Sequence, residues 1–115
     1  MARAIILGVL VAASTLGSAF SADMVVGRWR TKPGDTAAIS NCGRALCISL
    51  KDGRYAGQQI GRMTPRGDGT YVGSITNPAD GKTYSGKGRL EGDSFTMSGC
   101  LLGGLICRSQ TWVRL

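Results

Sequence analysis

Four cysteines are the residues of this chain with the most specific chemistry. They form two close pairs, Cys42 with Cys47 and Cys100 with Cys107. Close cysteine pairs occur in metal sites and in disulfides, and metal sites of this size commonly add histidine. Because the chain has no histidine, we predict two disulfides and no bound metal or other cofactor. The preferred pairing joins the near neighbours, although four cysteines allow three pairings and a hairpin-to-hairpin pairing stays open.

Residues suited to catalysis are sparse. Without histidine, the usual general base near neutral pH is missing. Most of the carboxylates lie in predicted turns, where aspartate beside glycine usually forms hydrogen bonds to the backbone. They are Asp35, Asp52, Asp68, Asp80, Glu91 and Asp93. No nucleophile elbow or phosphate-binding glycine loop is present, so we expect a non-enzymatic protein.

The beginning of the chain has the pattern of an export signal. Arg3 supplies a basic start, residues 5–11 are apolar, and small residues follow up to Ser21. The apolar run is shorter than the ~20 residues of a membrane span, so no transmembrane anchor is expected. We predict a signal peptide over residues 1–21, cleaved within 19–22, and a protein that is periplasmic or secreted.

Residues 22–115 then form a single basic domain. A chain of this length buries only roughly 60–65% of its unfolded surface, and disulfides commonly stabilise such small exported domains. Without Arg3, thirteen basic and seven acidic groups give a net charge of +6. The charges are scattered singly, which usually means a solvated surface, but they also favour an anionic envelope component as partner. No basic run interleaved with aromatics appears, so nucleic acid is not expected.

Alternating apolar residues and frequent glycines predict an all-β domain. The predicted strands cover residues 25–31, 37–42, 46–50, 55–63, 70–76 and 82–90, followed by a hairpin within 94–115. The clearest turn lies at residues 77–81, where asparagine precedes proline and aspartate precedes glycine. Seven or eight short strands at spacings of roughly ten residues indicate an antiparallel meander that closes into a small barrel.

The last hairpin should turn at Gly103-Gly104, since paired glycines supply the positive φ angles of a tight turn. Counting outward places Leu102 opposite Leu105 and Cys100 opposite Cys107. The face away from the cysteines should point inward, and it carries Phe95, Met97, Arg108, Gln110 and Trp112. The earlier hairpin is interpreted in the same way, with Cys42 facing Cys47. A hairpin tip that projects beyond the barrel would form an exposed apolar patch and mark a contact site, whereas a tip that folds back would belong to the core.

Several segments resemble a bacterial family, domain of unknown function 2147. They are NPADGKTYSG at residues 77–86, SGC at 98–100, LICRSQTWVR at 105–114, VGRWRT at 26–31 and CGRALC at 42–47. Their order and coverage make the chain similar to that family over most of residues 22–115. The resemblance implies a small exported lipocalin-like β-barrel, and it implies no established activity.

The first and last strands also resemble those of lipocalin-type barrels. In such barrels a tryptophan on the first strand packs under an arginine from the last strand and closes one end. The resemblance implies this role for Trp29, within Gly27-x-Trp29, and for Arg114, with a cation–π contact between them. The role would be structural.

A ligand site is the main functional hypothesis. Arg108 and Gln110 share a face with Trp112, and Tyr71 and Tyr84 are expected to join them from neighbouring strands. A buried arginine needs a partner, which is either an internal group or the anionic part of a ligand in the barrel mouth. A chain this short also predicts an interior filled by side chains, without a sizeable cavity.

The function hypothesis is therefore an exported, non-enzymatic module that binds an envelope component or a small ligand. The alternative is a secreted or periplasmic protein-interaction barrel, such as a hydrolase inhibitor. An open pocket at Arg108 and Gln110 favours the first. A packed interior with a protruding loop favours the second.

Overall fold

The computed structural model describes residues 24–115, and the predicted signal peptide lies outside them. The strands are β1 (Gly27–Arg30), β2 (Thr36–Cys42), β3 (Ala45–Leu50), β4 (Gln59–Pro65), β5 (Thr70–Thr76), β6 (Thr83–Glu91), β7 (Ser94–Leu101) and β8 (Ile106–Arg114). Each strand pairs antiparallel with the next, and β8 pairs with β1, which closes the barrel. The predicted all-β barrel is confirmed. Residues 24–115 contain no helix long and apolar enough to cross a membrane.

The predicted strand over residues 55–63 begins too early. Residues before Gln59 form turns in which the Gly57 N–H donates to the Leu50 carbonyl at 2.8 Å and the Ala56 N–H donates to the Gly53 carbonyl at 3.3 Å. Gly57 has a φ of +90°, a conformation that glycine adopts readily and other residues do not. The strand therefore starts only at Gln59 and continues to Pro65.

The connections between strands lie alternately at the two ends of the barrel, because consecutive strands are antiparallel. One end, here called the open end, carries the connections at residues 31–35, 51–58, 77–82 and 102–105. The opposite end, here called the closed end, carries the connections at residues 43–44, 66–69 and 92–93, together with the start of β1 and the end of β8.

Aromatic rings fill the half of the barrel nearer the closed end. The Phe95 ring centroid lies 5.6 Å from those of Trp29 and Tyr71 and 6.1 Å from that of Trp112. Tilted and edge-on contacts at these distances suit the quadrupoles of aromatic rings. Gly88 on β6 makes room for them, since a Cβ there would lie 2.5 Å from Phe95 Cζ. The ring cluster thus leaves no room for a side chain at position 88.

Arg114 covers Trp29 at the closed end. The guanidinium carbon lies 4.3 Å from the Trp29 ring centroid, so the contact expected from the lipocalin resemblance is present. Arg114 Nη2 donates to the Met24 carbonyl at 2.7 Å, and its Nε lies 3.3 Å from Asp93 Oδ1. The Trp29 indole N–H donates to the Val25 carbonyl at 2.9 Å. These contacts tie the two ends of the described chain to the barrel floor.

Both disulfides have the predicted pairing, Cys42–Cys47 and Cys100–Cys107. The first closes the β2–β3 hairpin at the closed end, and the second lies at the base of the β7–β8 connection at the open end. Cys100 and Cys107 are directly opposite each other in the strand register, as predicted. Each disulfide therefore links two strands that are already neighbours in the sheet.

The expected register of the β2–β3 hairpin is wrong. Cys42 lies opposite Ala45, and Cys47 lies opposite Ser40, so the disulfide joins diagonal neighbours. The reason is a shorter turn, which has Gly43 at a φ of +72° and leaves only two residues between the strands. The alternation of faces is unaffected, because the shift is two residues.

Candidate ligand-binding site

A cavity of about 680 Å³ occupies the open end of the barrel. This volume lies within the range of about 300–1,000 Å³ that is common for small-molecule sites. The expectation of an interior filled by side chains is therefore wrong. Inward-facing positions at this level include Gly86 and Gly99, which are paired in register. A Cβ at Gly86 would meet the Ser74 backbone at 3.1 Å and one at Gly99 would meet Ile75 at 3.2 Å, so neither position could hold a large side chain without a shift, whereas aromatic rings fill the other half of the barrel.

The cavity wall is mainly apolar and comes from six strands, because each strand directs alternate residues inward. The apolar side chains that form it are Leu50, Ile60, Ile75, Met97 and Trp112. Tyr55 and Tyr84, both half-buried, complete it from the β3–β4 connection and from β6. Trp112 also contacts the aromatic cluster, so it forms the boundary between the cavity and the filled half of the barrel.

Gln110 joins two parts of the cavity wall by hydrogen bonds. Its side-chain carbonyl oxygen accepts a hydrogen bond from the Trp112 indole N–H at 2.7 Å. The same oxygen accepts the backbone N–H of Lys32 at 3.2 Å, which holds the β1–β2 connection against β8. Gln110 thus orients the Trp112 ring and joins two parts of the cavity wall. Its predicted place beside Trp112 corresponds to the structure.

Arg108 lies at the rim of the cavity and is exposed. The expectation that it is buried is wrong, because it lies only two residues from the start of β8 at the open end. Gly99, directly opposite on β7, has Ile75 and Tyr84 as neighbours, with a Cβ there 3.2 Å from Ile75 Cγ2. Within residues 24–115 the Arg108 guanidinium makes no hydrogen bond and no ion pair. It is therefore a cation available to a ligand.

Asp35 also lines the cavity, from the β1–β2 connection. Its carboxylate lies against Gly53, where a Cβ would come within 2.4 Å of Asp35 Oδ1. The backbone carbonyl of Asp35 accepts hydrogen bonds from Thr31, from the N–H at 2.9 Å and from the hydroxyl at 3.0 Å. The rim thus carries one anion in addition to the Arg108 cation.

Tyr71 is not part of this site, unlike Tyr84. It is 3% exposed, packs edge-on against Phe95 and borders a separate recess beside residues 65–70 at the closed end. Burial raises the pKa of the Tyr71 phenol above its usual value of 10.0, so the group stays neutral and acts as part of the core. Of the five predicted ligand-binding residues, the structure brings together Tyr84, Arg108, Gln110 and Trp112.

Sequence reasoning missed the wall residues that lie in connections, such as Tyr55 and Asp35. The signal for them was present, since in an antiparallel meander alternate connections meet at one end of the barrel. The connection after the first strand and the connection after the third must then lie beside the start of the eighth. Counting connections along the predicted meander would have placed both residues near Arg108.

The tip of the last hairpin, residues 101–106, is exposed. The relative exposures are 47% for Leu101, 70% for Leu102, 84% for Leu105 and 53% for Ile106. Leu102 and Leu105 are not a strand pair as predicted. A 3₁₀ segment, Leu102–Gly104, turns the chain instead, and the Leu105 N–H donates to the Leu102 carbonyl at 3.3 Å. Leu101 and Ile106 also line the cavity, so the tip and the cavity mouth are continuous.

Several carboxylates hold turns. Asp52 Oδ1 accepts the Thr36 N–H at 2.7 Å, and Asp68 Oδ1 accepts the Thr70 N–H at 3.0 Å. The hydrogen bond from the Thr36 N–H lowers the pKa of Asp52. The pKa of Asp68 is lowered mainly by the hydrogen bond from the Thr70 hydroxyl and further by that from the Thr70 N–H.

In residues 24–115 no three histidine, cysteine, aspartate or glutamate side chains are grouped in a way that could hold a metal ion.

Comparison with known proteins places this barrel in a family. Neither the curated proteins nor the solved structures give a significant match. A family model described as an uncharacterized protein conserved in bacteria, DUF2147, matches residues 27–114. The match runs from the first residue of β1 to the last residue of β8, so it includes both disulfides and the whole wall of the cavity. The chain belongs to this bacterial family, DUF2147.

Proposed function

We propose that this protein is an exported, non-enzymatic module that binds a small, partly apolar anion in the cavity at the open end. The observation that carries the proposal is the position of Arg108 at the rim of an apolar cavity, with a guanidinium that makes no hydrogen bond or ion pair within residues 24–115. Burying hydrocarbon in such a wall contributes about 0.8 kcal/mol for each CH₂ group. A guanidinium at the mouth can bind a carboxylate or phosphate through two parallel hydrogen bonds.

The charges at the rim favour a ligand with one anionic group. Arg108 attracts such a group, whereas the carboxylate of Asp35, which also lines the cavity, repels a second one. A molecule with one anionic head and a hydrocarbon tail satisfies both conditions. Its head would lie at Arg108 and its tail against Ile75, Met97 and Trp112.

The absence of catalysis is supported by what the reactive groups already do. All cysteines of the described chain are in disulfides, so none is a free nucleophile. Asp52, Asp68 and Asp80 accept backbone hydrogen bonds in turns, and Asp93 lies in the ion pair with Arg114. Export is supported by the two disulfides, since such bonds persist mainly in oxidising compartments.

The alternative function is a protein-interaction barrel such as a hydrolase inhibitor. This alternative combines a packed interior with a protruding loop. The hairpin tip is exposed and would be the contact surface of such a barrel. The cavity, however, occupies the part of the interior that this alternative requires to be filled. Ligand binding therefore has the stronger support.

Isothermal titration calorimetry with three amphiphiles of equal chain length tests the proposal. Dodecanoate, dodecanol and dodecyltrimethylammonium present an anionic, a neutral and a cationic head. The two charged amphiphiles are used below their micelle concentrations and dodecanol below its solubility limit. We expect dodecanoate to bind most tightly, with a negative heat-capacity change from apolar burial. Arg108→Gln should weaken dodecanoate binding about tenfold, because a hydrogen-bonded charge pair is lost. Arg89→Gln, an exposed arginine of β6 outside the cavity, is the matched control.

Three results would contradict the proposal. If none of the three amphiphiles binds, the cavity is not a site for this class of molecule. If all three bind equally, or if Arg108→Gln and Arg89→Gln have the same effect on dodecanoate, Arg108 does not recognise the anionic head.

A further inference from the structure

The hairpin tip has an unusual surface for an exported protein. Its four large side chains, Leu101, Leu102, Leu105 and Ile106, are all aliphatic and between 47% and 84% exposed. The remaining two residues are glycines, so the tip has no charged or polar side chain. Soluble proteins seldom expose contiguous apolar patches without a contact to cover them.

The tip is also held in its exposed position. The Cys100–Cys107 disulfide lies at its base, and Leu101 and Ile106 are still paired across β7 and β8. With strand pairing reaching this point, the tip cannot fold back onto the cavity without breaking the end of the hairpin. The disulfide and the strand pairing therefore keep this apolar surface exposed at the open end.

The open end also carries exposed cations. Each of the three open-end connections besides the tip contributes at least one exposed cation. They are Lys32, Lys51, Arg54 and Lys82. Arg108 adds a fifth at the rim, against the three acidic groups Asp35, Asp52 and Asp80. Counted over the connections alone, the open end has one more cation than acidic groups, whereas the closed end has two arginines and two aspartates. With Arg108 from β8, the open end combines an aliphatic tip with an excess of two positive charges.

This combination fits a lipid surface better than a protein. Contact residues that dominate protein interfaces are mostly tryptophan, tyrosine and arginine, and leucine is under-represented among them. Binding to a bilayer surface instead scales with the apolar area inserted and with the attraction between basic side chains and anionic lipids.

We propose that the open end docks on an anionic bilayer, with the hairpin tip inserted among the acyl chains and the open-end cations against the head groups. Leu101 and Ile106 line the cavity as well as the tip. Docking in this orientation therefore places the cavity mouth at the lipid surface. An amphiphile could pass between the bilayer and the cavity without crossing water. Docking itself does not require a ligand in the cavity, so it goes beyond the proposed function.

Vesicle co-sedimentation of the mature protein, with its disulfides intact, tests the proposal. One set of vesicles is phosphatidylcholine alone, and the other is phosphatidylcholine and phosphatidylglycerol in equal parts. We expect partition into the anionic vesicles to exceed partition into the neutral ones by about tenfold or more, since each cation near an anionic surface adds attraction. Raising the salt concentration should reduce this difference by screening.

The tip is tested by Leu102→Asn combined with Leu105→Asn. Asparagine tolerates the positive φ of Leu102, which is 52°, so the fold should be retained. Partition into anionic vesicles should fall about tenfold. The matched control is Met24→Asn combined with Leu115→Asn, which removes two side chains that are 60% and 56% exposed at the closed end. This control should bind as the wild type does, and circular dichroism should show that both variants fold.

The proposal is overturned if the wild type sediments with neither kind of vesicle, or equally with both. It is also overturned if the tip and control variants lose the same amount of binding. If the tip variant changes only self-association, measured by analytical ultracentrifugation without lipid, the tip contacts a second copy of this chain instead. Because dodecanoate binding is measured without vesicles, failure of docking is distinguishable from failure of the proposed function.

Discussion

Replacing Trp29 by alanine tests whether the barrel is closed by the packing seen at its floor. The Trp29 side chain is fully buried, contacts the Phe95 ring at 5.6 Å between centroids and lies under the Arg114 guanidinium at 4.3 Å. Removing a buried aromatic side chain costs about 3–5 kcal/mol of unfolding free energy. A domain of roughly 90 residues has a total of about 5–14 kcal/mol, so this single change should remove a large part of its stability.

Urea unfolding monitored by far-UV circular dichroism is the suitable measurement, because the substitution removes one of only two tryptophans and changes the fluorescence. The midpoint should fall while the slope stays close to that of the wild type. In a thermal melt, a loss of 3 kcal/mol or more corresponds to a drop of about 12 °C or more. Trp29→Phe keeps a ring but leaves the Val25 carbonyl without its donor, and should cost about 1–3 kcal/mol.

A double-mutant cycle with Arg114→Gln separates the cation–π contact from the burial of the ring. Arg114 is 28% exposed, so solvent weakens the interaction, and a coupling of about 0.5–1 kcal/mol is expected. A cost below about 1 kcal/mol for Trp29→Ala would mean that the floor is not packed in this way. A coupling of zero would refute the role of Arg114 while leaving the burial of Trp29 intact.

Three further predictions concern other parts of the barrel. Gly88→Ala should lower the unfolding free energy measured in urea by about 1–3 kcal/mol, because the enclosed Phe95 ring cannot move away from a Cβ at 2.5 Å. Gly99→Ala should cost less, since the nearest atom to its Cβ would lie at 3.2 Å. Equal costs for the two substitutions would contradict the packing. Reducing both disulfides should lower the melting temperature, at about 2–3 kcal/mol for each short loop, and an unchanged melt after confirmed reduction would show that they do not support the core. Asp52→Ala should lower the urea midpoint at neutral pH, since Asp52 accepts the Thr36 N–H and its folded pKa lies below 3.8. This contribution is present above pH 3.8 and is lost as the pH falls through the folded pKa, so a difference that persists unchanged in stronger acid would refute it.

Local features of the chain determined much of the fold. Alternation of apolar residues assigns Phe95, Met97 and Trp112 to the inner face, and the structure buries all three. The paired glycines at 103 and 104 both have the predicted positive φ, although a 3₁₀ segment and not a two-residue turn connects the strands. These properties follow from the sequence because strand faces repeat every two residues and turn conformations depend on a few neighbours. The close cysteine pairs and the order of the meander follow for the same reason, since consecutive strands pair with each other. Closure is different, because it needs the first strand to pair with the last.

The level of each residue along the barrel was decided only by the tertiary structure. Alternation places Tyr71 and Tyr84 on the inner face alike, but register sets Tyr71 beside Gly88 and Tyr84 beside Ile75, at different heights. One tyrosine therefore packs in the aromatic cluster, and the other lines the cavity. The β2–β3 register likewise differed by two residues from the expectation, although the faces were unchanged.

The cavity itself also depends on the tertiary structure. Its volume is set by which inner side chains meet across the barrel, and these come from strands far apart in the sequence. Leu50 and Ile60 from the first half of the chain meet Met97 and Trp112 from the second half around the cavity, whereas large rings meet at the level of Phe95. Whether Arg108 is buried or exposed depends on the same geometry, because a side chain close to the end of the barrel reaches solvent. The alternation of apolar and polar residues indicates which way a side chain points, and only the closed barrel determines what lies opposite it.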